Sequence, residues 1–131
     1  MTRLPASHLL RFLAIIWVIL GLGFLLRPVL LGEYVNLFLP TTTSRIHLRA
    51  SHGGLALALA VFFWLASART AWHRPALTAA ILVHWGLALS TLLGIFLEGG
   101  TIPRIIVMLA VEAGLGLAAL RVLPRESPDI S

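Results

Sequence analysis

The sequence contains no cysteine and no lysine, a single tyrosine, and only five acidic residues in 131. Without cysteine there are no disulfides, thiolate nucleophiles, iron–sulfur clusters or cysteine zinc sites. Four-span thiol oxidoreductases and cysteine-dependent mercury carriers are excluded on the same ground. Charge is scarce as well: charged residues make up 11% of the chain, against about 25% in a soluble domain. What fills the space is apolar, 59% of residues, with a mean hydropathy of +0.96. A chain this short cannot bury so much apolar surface inside a water-facing globule. The composition therefore predicts an integral membrane protein. The net charge is +5, and all ten basic residues are arginine. They stand singly at the ends of apolar runs, which fits anchoring to lipid headgroups and argues against nucleic acid as a partner.

A bilayer-spanning helix needs about 20 apolar residues. Four stretches qualify, at 9–27, 45–68, 75–97 and 104–123. The fold class expected is all-α, an antiparallel bundle of four transmembrane helices forming a single domain over 1–131. The first run has a basic start but no small-residue cleavage motif before Arg27-Pro28, so it reads as a retained span and not a secretory signal. The connection 28–44 is broken by Pro28, Gly32 and Pro40 and is too short for another crossing. Tyr34 and Phe38 suit an interfacial or re-entrant segment. Thr43 or Ser44 is the expected N-cap of the second span, and Pro75 the expected first turn of the third. The tail from Pro124 is polar and expected to be loose.

An even span count places both termini on one side. That side carries Arg3, Arg11, Arg69, Arg74, Arg121 and Arg125; the other carries Arg27, Arg45, Arg49 and Arg104. The excess favours termini in the cytoplasm. Small residues recur every four positions at Gly86, Ser90 and Gly94, and again at Ala110, Gly114 and Ala118. Such stripes let backbones approach closely in lipid. They are expected to pack the bundle, or to join a second copy or another membrane subunit.

Glu112 lies mid-span, where an acid costs about 2.5–3.5 kcal/mol on insertion scales. It is expected to face the interior, to be paired, or to be protonated. On a helical wheel it sits about 200° from Gly114, beside Met108, Gly116 and Ala119. His84 could match it in depth. Arg45, Arg49 and His52 share a face at the start of span two, followed at once by Gly53-Gly54, which leave room for a close helix or a ligand. These five residues are the candidate polar cluster. It either locks the packing or binds a lipid-like or quinone-like molecule. A proton carrier at Glu112, working in a homodimeric transporter, is the alternative. No metal site is assigned, because His52, His84 and Glu112 lack local ligand spacing. No cofactor is assigned either; a haem between His52 and His84 is disfavoured by their different depths. No catalytic residue stands out. Ser51 and His52 are neighbours on a helix and are expected to point about 100° apart. His8, His47 and His73 read as terminal or interfacial, Trp17 and Trp85 as packing residues.

The order of features resembles the DUF4345 family of small four-span membrane proteins. The matching pieces are Gly21-x-Gly23 with Arg27-Pro28, Arg49-Ala-Ser-His52-Gly53-Gly54, Leu97-Glu98-Gly99-Gly100, and Glu112. The resemblance implies four helices and supplies no activity and no catalytic residue. It also leads one to expect a basic residue where this chain has Ser90, and an acid soon after the paired glycines where this chain is apolar. More distantly, the layout is similar to DoxX-like four-span proteins, an analogy of fold alone.

Overall fold

The computed structural model describes residues 5–35, 37–99 and 103–123. Expectations resting on Arg3, Gly100, Arg125 and the tail from Pro124 lie outside the described residues. The protein is all-α, and among the described residues there is no strand. Four helical stretches are long and apolar enough to cross a membrane: Ala6–Leu26, Thr42–Ser67, Thr70–Glu98 and Pro103–Val122. Large apolar side chains lie exposed along all four of them. Phe96 is 83% exposed, and Ile19, Leu82 and Leu97 are largely exposed too. Water would penalise such a surface, whereas hydrocarbon does not. The chain divides into two compact units, one of Ser7–Arg69 and the other of Thr70 onward together with Ala6.

The first unit holds α1 (Ala6–Leu26), α2 (Pro28–Tyr34), α3 (Thr42–Leu48), a π-helical turn (Arg49–Gly54) and α4 (Leu55–Ser67). Pro28 begins α2, where its missing N–H costs nothing. The connection expected to be interfacial thus contains a seven-residue helix. It then folds back, with the Leu37 N–H donating to the Gly32 carbonyl at 2.7 Å. The N-cap of α3 is Thr41, not Thr43 or Ser44. Thr41 Oγ1 accepts from the Ser44 N–H at 3.1 Å, and Ser44 Oγ accepts from the Thr41 N–H at 3.2 Å. This reciprocal box satisfies two donors that a cap two residues later would leave free. Arg45 Nε also reaches the Thr41 carbonyl, at 3.3 Å.

The π turn has a reason visible in burial. The buried residues through this stretch are Leu48, Gly53, Ala56, Ala60 and Phe63. The steps are three or four residues except across the turn, where the step is five. An i→i+5 ladder carries one extra residue per turn. It keeps Leu48 and Ala56 on one face, and it turns His52 outward from the place an ordinary α-helix would give it.

The second unit is a helical hairpin of α5 (Thr70–Glu98) and α6 (Pro103–Val122), packed along each other. Contrary to the expectation from Pro75, α5 starts at Thr70, so Trp72, His73 and Arg74 are helical and Pro75 lies inside. Lacking an N–H, Pro75 leaves the Ala71 carbonyl without its helical donor. Gly99 ends α5 in the left-handed region (φ +65°), and its N–H reaches the Ile95 carbonyl at 3.2 Å. Only a residue without Cβ takes that conformation readily.

Candidate functional site

The densest polar geometry lies where α1 ends. The last four carbonyls of any helix lack helical donors, and Pro28 supplies none to α1. The Arg49 side chain fills one gap, its Nε donating to the Leu25 carbonyl at 2.9 Å. A cation at a helix C-terminus also meets the negative end of the dipole. His52 joins Arg49 on the same turn of α1. Its ring sits 5.2 Å from that of Phe24, tilted by 51°. The structure thus sets two of the cluster residues against successive residues of α1.

Glycine makes this approach possible. A Cβ on Gly53 would stand 3.1 Å from Leu25 N and 3.3 Å from the Gly21 carbonyl oxygen. Those are backbone atoms and cannot step aside. A Cβ on Gly21 would stand 2.8 Å from the Leu57 side chain. The space that the paired glycines were expected to leave is therefore taken, at Gly53, by α1. Gly54 stays open, with its nearest neighbour the Arg49 carbonyl at 3.9 Å.

Ser51 and His52 do not point apart. Ser51 Oγ and His52 Nδ1 lie 2.9 Å apart, and the Ser51 hydroxyl donates to the His47 carbonyl at 2.8 Å. The π turn explains the departure: more residues per turn means a smaller angle between neighbours. The contact is not that of a nucleophile and its base. The Ser51 proton goes to a carbonyl, so the histidine does not withdraw it. Sequence reasoning missed Ser51 and Phe24 as parts of this cluster. The available signal was the run Ser51-His52-Gly53-Gly54, which combines a back-bonding hydroxyl with two residues of poor helix propensity.

In the hairpin, Glu112 and His84 find separate partners. The Thr91 hydroxyl hydrogen-bonds the Glu112 carboxyl. The other carboxyl oxygen, Oε2, is buried with no hydrogen-bond partner among the described residues. His84 is buried, and its Nδ1 donates to the Ala80 carbonyl one turn back at 2.8 Å. Thr91 lies seven residues beyond His84, about 10 Å along the helix axis. Thr91 is therefore a further residue that the sequence did not single out.

The close approach of α5 and α6 falls at Gly116. A Cβ on Gly116 would stand 2.8 Å from the Trp85 ring. A Cβ on Gly86, Gly94 or Gly114 would meet nothing within 4 Å among the described residues. Ser90 and Ala110 are exposed and Ala118 is half-buried. The buried residues of α6 are Gly116 and Ala119, which share the face of Glu112. Four-residue spacing marks a face of small residues, but periodicity does not carry the identity of a partner.

Among the described residues, no three histidine or acidic side chains come together to hold a metal ion. No curated protein and no solved structure matches the chain. A family of proteins described as a domain of unknown function, DUF4345, matches residues 6–123. That range runs from the first residue of α1 to one residue beyond α6, and so takes in both the π turn and Glu112. By this match, the chain belongs to the DUF4345 family.

Proposed function

We propose that this chain is a small integral membrane protein whose π turn holds the polar head of a lipid-like or quinone-like molecule. It acts as an accessory subunit beside other membrane proteins or a second copy of itself. The observation carrying this reading is the docking of Arg49 and His52 on Leu25 and Phe24. Among the described residues, Arg49 spends only its Nε on the protein, which leaves its terminal amino groups for a ligand. Arg49 and His52 are both exposed. The open glycines of the α5–α6 hairpin leave room for a protein neighbour. A bacterial cytoplasmic membrane with both termini inside completes the reading. Native mass spectrometry of protein released in mild detergent tests it. A retained small molecule that is lost in Arg49→Gln supports it; wild-type protein carrying neither molecule nor partner refutes it.

One observation favours a second reading. Among the described residues, Glu112 Oε2 is buried without a partner beside Thr91, as suits a carboxyl that exchanges a proton in a homodimeric transporter. Glu112→Gln should then abolish proton-coupled flux in vesicles while leaving the protein inserted and folded.

A further inference from the structure

We infer that the Arg49–His52 site takes a phospholipid whose headgroup joins a phosphate anion to a free hydroxyl. This rests on the reading of the π turn as a headgroup site, and it specifies the ligand.

Proton positions set what the site can accept and donate. A carbonyl oxygen only accepts, so the Ser51 hydroxyl spends its one hydrogen on His47 O, at 2.8 Å. The Ser51 oxygen also lies 2.9 Å from His52 Nδ1. With its hydrogen committed, that oxygen can only accept there, so Nδ1 carries the proton. In the neutral ring Nε2 then holds a lone pair. The exposed edge of His52 is an acceptor, and it asks for a donor. Arg49 asks for the opposite: its terminal N–H groups are donors shaped for an oxyanion.

Charge decides which oxyanion-and-hydroxyl molecule fits. From Arg27 through Gly54 the first unit carries Arg27, Arg45 and Arg49 against one acid, Glu33. A phosphodiester balances that excess. A quinol brings hydroxyls but no charge, and a quinone brings only acceptors, which leave Nε2 unmatched. The apolar exposed surface of α1 beside the site, at Leu22, Leu25 and Leu26, suits acyl chains.

The test uses full-length protein in mild detergent, offered phosphatidylglycerol, phosphatidylmethanol or a quinol, with native mass spectrometry as readout. Phosphatidylglycerol and phosphatidylmethanol carry the same charge, but only the first has headgroup hydroxyls. Wild-type protein should retain phosphatidylglycerol about fivefold better, the worth of one ordinary hydrogen bond. His52→Phe should equalise the two while still binding both. Ser51→Ala removes the acceptor that fixes the tautomer. It should weaken the preference and shift the imidazole nitrogen resonances toward the other tautomer, a change that a merely structural role would not produce. Equal retention of the two lipids by wild-type protein, with Arg49→Gln still losing both, overturns this inference and leaves the headgroup reading standing. No loss in Arg49→Gln overturns both. Stronger retention of the quinol overturns the inference in favour of redox lipids. Displacement of phosphatidylglycerol by inorganic phosphate overturns it in favour of a plain anion site.

Discussion

Arg49 Nε donates to the Leu25 carbonyl oxygen at 2.9 Å, across 24 residues of sequence. The bond ties the end of one apolar helix to the π turn inside another. It places a guanidinium at the negative pole of α1.

Arg49→Ala should therefore lower stability by about 1–3 kcal/mol, the range for a charge-assisted bond whose acceptor is left unmatched. Arg49→Lys should recover only part, since an ammonium lacks the fork that reaches the carbonyl while presenting other donors. Thermal unfolding in detergent measures both.

The two adjacent glycines should behave oppositely. Gly53→Ala forces a methyl group against Leu25 N and the Gly21 oxygen and should cost about 1–3 kcal/mol, as overpacking does. Gly54→Ala meets only the Arg49 carbonyl oxygen, at an ordinary contact distance of 3.9 Å, and should be neutral, or stabilising by up to about 1 kcal/mol through helix propensity. Equal behaviour of the pair would refute the close approach of α1.

The hairpin offers a similar contrast. Gly116→Ala drives a methyl group onto the Trp85 ring, while Gly114→Ala meets nothing. The first should destabilise by about 1–2 kcal/mol and the second should not. Trp85→Leu should rescue Gly116→Ala, so that a double-mutant cycle shows coupling.

Thr91→Val removes the hydroxyl bonded to the Glu112 carboxyl. It should cost about 1–3 kcal/mol by leaving that group unsatisfied. In the background of Glu112→Leu the same change should cost little, because both partners are then apolar.

The absence of cysteine makes topology easy to test. Ser7→Cys and Ser127→Cys should resist an impermeant maleimide in intact cells and react after lysis. Labelling of both in intact cells would reverse the orientation; labelling of one alone would contradict an even number of crossings.

The four long helices were legible because an apolar run of bilayer length is rare outside a membrane. The cluster at Arg49 and His52 was legible because charge inside such a run stands out. The π turn was not. Reading with an ordinary helical period puts Leu48 and His52 on one face, whereas burial runs from Leu48 to Gly53. One extra residue per turn leaves no mark in composition. The start of α5 was misplaced for a related reason: Pro75 has a preferred place in the first turn, and only packing shows that the helix tolerates it further in. Thr91 escaped notice because a threonine in an apolar run signals nothing until an acid is seen to face it.

The six residues Arg49–Gly54 also act as a phase shifter. They let α3 and α4 run as one rod while the rod's two ends are clocked about 100° apart relative to an unbroken helix. Removing one residue from that segment, Ala50 for instance, would restore an ordinary ladder and turn Arg49 away from Leu25 or Ala56 out of its buried row. The segment is thus bound to its length as firmly as to its side chains: a substitution there changes one contact, but a deletion rotates everything on one side of it.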